Sequence, residues 1–136
     1  MRNDLSERLM MRCPIIYRGA IPGPNRIVMH FGFECSSGWF EMVLLLSEAI
    51  ERIAARLKNE GVEESRLPMV CQVKQKFGGL RYYMENGNEE IYALIQEAQA
   101  KSFHICEICG AYGERLIIGG FYTTRCNEHT RPDLGD

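Results

Sequence analysis

Four residues near the C-terminus constrain this chain more than any others. Cys106 and Cys109 form a CxxC pair, Cys126 and His129 form a CxxH pair, and sixteen residues separate the two. Two thiolates from one tight turn can take two corners of a tetrahedron, and a thiolate and an imidazole from a second turn can take the others; this is the donor set of a structural zinc site. The segment between has the chemistry to bring the pairs together. Residues 115–118 and 121–125 are short strand-like runs joined by Gly119-Gly120, a two-residue hairpin signal. Gly110 directly follows CEIC, where a knuckle turn needs glycine. The spacing therefore predicts a zinc-stapled β-hairpin of the zinc-knuckle or treble-clef kind. A redox pair is the alternative for CxxC, but a thioredoxin-like motif follows a strand and opens a helix, which this one does not. His104 is an alternative ligand; a helix-end histidine beside Phe103 is its simpler reading.

Four protein ligands leave no open position for water, so the expected role is structural. The chain has no HExxH, and no HxE followed by PCxxC. It also lacks G-x-S-x-G, a P-loop and GxGxxG, so the expectation is a protein that is not an enzyme.

The chain has six cysteines in 136 residues. Residues 1–20 carry charges throughout and hold no apolar signal stretch, so the expected compartment is cytoplasmic and a set of three disulfides is disfavoured. Cys13, Cys35 and Cys71 then read as separate thiols. Apolar runs such as 43–46 are too short to cross a membrane, and no membrane partner is expected. Lys+Arg 16 against Asp+Glu 18 leaves a net charge of -2, which argues against binding driven by bulk positive charge.

Upstream, residues 3–12 read as a short helix with Leu5, Leu9 and Met10 on one side, ended by Pro14. Residues 18–26 hold Gly19, Pro22, Gly23 and Pro24 and form a loop. Ile27, Met29, Phe31 and Phe33 alternate with Val28, His30, Gly32 and Glu34, predicting a strand with His30 on its other face. From Trp39 the period changes: Trp39, Val43, Leu46, Ile50, Ile53 and Leu57 mark a long helix to about residue 59, with Gly61 past its end. Met69, Cys71, Val73 and Phe77 alternate with Gln72, Lys74 and Lys76, then Leu80, Tyr82 and Met84 return after a Gly78-Gly79 turn. Asn86-Gly87-Asn88 closes that strand and can cap a further helix with Ile91, Leu94, Ile95 and Ala98 as its stripe. This order predicts an α+β fold: a small antiparallel sheet on two main helices, with the zinc hairpin docked on the second helix. The segments divide as an N-terminal stretch 1–26, an α+β core 27–103 and a zinc-binding subdomain 104–136.

Two stretches, CSSGWFEMVLLLSEAI over residues 35–50 and VKQKFGGLRYY over 73–83, carry a resemblance. With the helix EEIYALIQEAQ and the tail CEICG…TRCNEH, they resemble a group of uncharacterised small proteins of bacteria and their phages or prophages. Those proteins share a GWF segment, a VKxKFGGLR segment and a terminal CxxC/CxxH. The resemblance covers about residues 27–130. It implies a zinc-binding tail and a mobile-element setting, and no catalytic residue.

One surface candidate remains. Lys74, Lys76 and Arg81 fall on one face of the predicted hairpin with Tyr83 nearby, a set able to hold phosphates, a nucleic-acid strand or an acidic protein. A solvated face whose lysines block edge pairing is the plainer alternative. Residues 86–136 hold eight acidic and four basic side chains, so an anion site belongs on the hairpin and not on the tail. Trp39 reads as core by its helical spacing, and Cys35 before the helix as a small buried thiol, with a reactive nucleophile as the alternative. The expected function is a non-enzymatic, zinc-containing protein-interaction module, in the phage setting one that modulates a host protein. The alternatives are nucleic-acid binding through the basic hairpin face, and a homo-oligomer.

Overall fold

The computed structural model describes residues 1–20 and 32–131. Helix α1 (Asn3–Arg12) stops just before Pro14, as its sequence demands, and buries Leu5 and Leu9 one turn apart. The chain then turns back under helix α2 (Phe40–Asn59), whose Glu51 carboxylate accepts the N–H groups of Ile15 and Ile16, both at 3.0 Å. The stripe Trp39, Val43, Ile50 is fully buried, and Gly61, at φ +92°, lies past the C-terminal end of α2 where only glycine is comfortable. Most of the alternation over residues 27–33, including His30, lies outside the described residues. Its last part forms strand β1 (Phe33–Glu34).

Strands β2 (Met69–Lys76) and β3 (Gly79–Glu85) form the expected antiparallel hairpin, with two corrections. The turn is Phe77-Gly78 rather than Gly78-Gly79: Phe77 has φ 55°, Gly78 has φ 83°, and Lys76 pairs with Gly79. Positive φ at both central residues is the turn that matches strand twist, and it normally takes Asn-Gly. A phenylalanine there costs roughly 1–2 kcal/mol against right-handed backbone. Phe77 is 57% exposed, so burial returns little of that cost. Second, a bulge between Val70 and Gln72 absorbs Cys71, so Val70 and Val73, not Cys71, face the core.

The sheet is also mixed. The antiparallel pair is joined by β1, which runs parallel to β2 with Phe33 opposite Val73. The reason is connectivity: α2 lies between β1 and β2 in the chain, and a strand–helix–strand crossover returns the second strand in the same direction.

Helix α3 (Glu89–Ser102) starts where Asn88 accepts the N–H of Ile91 at 2.9 Å, and packs on α2 and β3. Inside, Tyr17, Ser47 and Tyr82 join their hydroxyls at 2.7–3.3 Å, so the core's polar centre is closed on itself. The result is an α+β fold. Among the described residues, no helix is long and apolar enough to cross a membrane.

The tail hairpin is a separate two-stranded sheet, β4 (Glu114–Ile118) with β5 (Phe121–Arg125), turning on Gly119-Gly120 at φ 57° and 85°. Its only buried side chains are Thr123 and Thr124.

Candidate metal centre

Local backbone chemistry makes the first half of the site. Leaving α3, the chain folds into a tight knuckle: Gly110 N–H bonds to Cys106 C=O at 2.9 Å, Cys106 N–H to Ala111 C=O at 2.8 Å, and Gly113 N–H to His104 C=O at 3.0 Å. Gly110 sits at φ +81°, the left-handed position expected of a glycine there. The second half is a turn after β5, closed by His129 N–H on Cys126 C=O at 3.1 Å. Glu107 N–H donates to Thr124 C=O at 3.0 Å, tying knuckle to hairpin.

These turns bring Cys106, Cys109, Cys126 and His129 together, with all four donor atoms within 4.8 Å of one another. The separations test whether a metal fits. Zinc–sulfur bonds of about 2.3 Å and zinc–nitrogen bonds of about 2.0 Å at tetrahedral angles place sulfurs about 3.8 Å apart, and sulfur about 3.5 Å from nitrogen. Cys109 Sγ lies 3.7 Å from Cys126 Sγ, and His129 Nδ1 lies 3.8 Å from Cys106 Sγ and 3.1 Å from Cys126 Sγ. The set could hold a metal ion, with His129 offering Nδ1. Backbone polarity prepares it further. Burial pushes the Cys106 thiol up, but the backbone amides of Cys126, Cys109 and Ile108 outweigh it and bring the thiol down to about 6. At Cys109 the Ala111 amide lowers the thiol, while burial and the neighbouring thiols raise it further. His104 stands apart from this group, its ring stacked on Tyr112 at 6.1 Å.

Two sockets in the core hold the knuckle, and they are the two segments that stood out in the sequence. The first is the 3-10 turn Ser37–Trp39. Gly38 N–H donates to Glu107 C=O at 2.6 Å, and Trp39 Nε1–H donates to Ile105 C=O at 2.8 Å. A Cβ on Gly38 would lie 2.4 Å from the carbonyl oxygens of both Cys106 and Glu107, so only glycine allows this approach. Trp39 is core, as its spacing suggested, and also an anchor for the tail.

The second socket is the Phe77-Gly78 turn. Thr124 Oγ1–H donates to Gly78 C=O at 2.7 Å. The buried Glu107 carboxylate accepts Thr123 Oγ1–H at 2.7 Å and Gln75 Nε2–H at 3.0 Å, and Gln75 Oε1 in turn accepts Gly78 N–H at 3.1 Å. The docking thus uses the turn before α2 and the β2–β3 turn rather than the body of the second helix. Gly38, Gln75, Glu107, Thr123 and Thr124 were all missed by sequence reasoning. A glutamate inside CEIC and a glycine before Trp39 look ordinary until their partners, far away in the chain, are known.

The other cysteines behave as separate thiols, and none of the six is in a disulfide. Cys13 and Cys35 belong to the core, and Cys71 sits half-buried at the bulge. Register places Lys74 opposite Arg81 and Gln72 opposite Tyr83, on one face of the sheet. Glu34 pairs beside Lys74 and accepts a hydrogen bond from Gln72 at 3.2 Å, so the face carries one acid that the sequence order did not reveal.

Between the knuckle, α2 and the end of α3 runs a groove of about 750 Å³, lined by Leu45, Leu46, Leu94, Ala98 and Ile108 among others, with Glu41 and Lys101 also along it. Leu45 is 61% exposed there. No family model, curated protein or solved structure matches this chain.

Proposed function

We propose that this protein is a non-enzymatic binding module whose tail is locked in place by a structural zinc, and that it works by docking on a partner protein. The observation that carries the reading is the donor set: three thiols and one imidazole with all donor atoms within 4.8 Å of one another, enough for four corners supplied by the chain. Zinc suits that mixture of thiolate and imidazole, and its bound charge balance of -1 gives it no role as an anion grip. When bound, the ion supplies folding free energy, on the order of 10 kcal/mol for small zinc peptides. The chain's own residues then do the positioning. Gly38 and Trp39 fix the knuckle backbone, and Glu107 with Gln75 and Thr123 fixes its orientation.

The partner surface is the apolar groove beside the knuckle, since an exposed leucine in a trough of aliphatic side chains matches a protein side-chain ridge. In the mobile-element setting that the resemblance implies, a host protein is the natural occupant. The test has two parts. Elemental analysis of purified protein should find one zinc per chain; no zinc would overturn the reading. A protein retained from host lysate by the wild type should be lost on Leu45→Glu with zinc content unchanged; retention by both would place the partner surface elsewhere.

A further inference from the structure

The Phe77-Gly78 turn is flanked by cations and rings drawn from both hairpins and from the end of α3. Lys76 Nζ lies 5.5 Å from the centroid of the Phe77 ring. Phe77 meets Tyr122 edge-on, 6.4 Å between centroids at 82°. The Arg115 guanidinium sits 4.1 Å from the centroid of Tyr122 and 5.6 Å from that of Phe103. Phe103 in turn covers Gly79, where a Cβ would come within 2.5 Å of the ring, and Gly79 pairs with Lys76, closing the circle. The Lys74–Arg81 pair and then Tyr83 continue from it along the sheet face. Among the described residues, Lys74, Lys76, Arg81 and Arg115 form no ion pair.

Folding does not account for Phe77. An Asn-Gly turn would make the same reversal without left-handed strain on a bulky residue, and the ring stays mostly in solvent. Tyr122 and Tyr83 are likewise 43% and 44% exposed.

We infer that this circle is a site for single-stranded nucleic acid, with bases stacking on Phe77, Tyr122 and Tyr83 and phosphates meeting Lys74, Lys76, Arg81 and Arg115. Flat rings interleaved with cations are what a single strand uses, because every base has a π-face and every linkage a charge. A duplex keeps its base faces hidden, and an acidic peptide would use the cations but offer the rings no planar partner. Glu34 stands beside Lys74 on this face, and four phosphate contacts are compatible with it and with an overall charge of -2 because four cations gather on one surface.

The site needs the tail hairpin in place, since Arg115 and Tyr122 come from it, so zinc content is measured on the same sample. The probe is a fluorescein-labelled oligothymidylate or oligouridylate of about twelve nucleotides, read by anisotropy. Zinc-loaded protein should bind it with log Kd changing by about 2 to 3 per tenfold change in salt. Phe77→Asn should weaken binding about tenfold or more while leaving thermal stability unchanged or raised. Arg115→Gln should reduce the salt slope by about 0.7. No binding by zinc-loaded protein at about 50 mM salt would overturn the site, as would equal binding by wild type and Phe77→Asn. Poly-glutamate displacing the oligonucleotide equally from both would assign the surface to an acidic protein instead. Protein without zinc would count against the structural-zinc reading first.

Discussion

The two hairpins of this molecule turn on the same kind of backbone but are held by opposite means. The β2–β3 hairpin buries Met69, Val70, Val73, Leu80 and Tyr82 against the helices, while β4–β5 buries only Thr123 and Thr124. One is secured by apolar surface removed from water, at roughly 25 cal/mol per Å². The other has no apolar face to bury, and isolated two-stranded hairpins are marginal at best. Its place is set by a short list of hydrogen bonds to Gly38, Trp39 and the Phe77-Gly78 turn, beside four residues that could hold a metal ion. The contrast teaches that a strand pair can hold its place through hydrogen bonds at a seam while Phe121 and Ile117 stay largely in solvent.

Metal removal should separate the two regions most sharply. Chelation is expected to cost the tail on the order of 10 kcal/mol, melting residues 104–131 while the α+β core keeps its helical signal. Hydrogen exchange read peptide by peptide checks this; one cooperative unfolding of the whole chain would break the comparison. Mild acid should act the same way, because protons compete for the thiolates and imidazole.

Leu80→Ala is the converse experiment. It hollows the core beside α3 and should lower global stability by about 2–5 kcal/mol, with zinc stoichiometry unchanged. Denaturant titration with metal analysis distinguishes this from a coupled loss of both. Gly38→Ala attacks the seam between the regions. Its Cβ has no room against two backbone carbonyls, so the knuckle must shift, costing about 1–3 kcal/mol and speeding zinc transfer to a colorimetric chelator. Gly120→Ala, at φ +85° in open space, should cost only about 1 kcal/mol and leave chelator kinetics nearly unchanged.

Alkali should sharpen the contrast from the other side. Burial, and then the charges of Glu51 and Glu48, push the Cys13 thiol from its ordinary 9.0 up to about 12. The folded state therefore holds that proton more tightly than the unfolded chain. Its contribution is full below about pH 9 and is lost as pH rises toward 12. Cys13→Ala should flatten that part of the stability profile without touching zinc binding, which pH-dependent denaturation can follow.

What could be read in advance follows the range of each signal. The ends of α1, α2 and α3 lie where Pro14, Gly61 and Asn88 place them, because caps and breakers act within a turn. The gathering of Cys106, Cys109, Cys126 and His129 was legible because two short turns of fixed spacing bring them together. The Phe77-Gly78 turn was misread by one residue, since Gly-Gly is the stronger local signal and nothing nearby shows that Phe103 claims the space over Gly79. The parallel seat of β1 was illegible because two residues of strand carry no direction.

By itself, then, the sequence determined the α+β class, the helix limits, the existence of both hairpins and the four residues that come together where a metal could be held, all through chemistry confined to a few neighbouring residues. Only the tertiary structure decided what the GWF and FGG segments are for. Gly38 meets Cys106 across 68 positions of chain and Thr124 meets Gly78 across 46, and no local rule reports an approach between segments that far apart. The bare glycine backbone that admits the knuckle, and the cation–aromatic circle that its docking completes, exist only once both hairpins have been brought to one place.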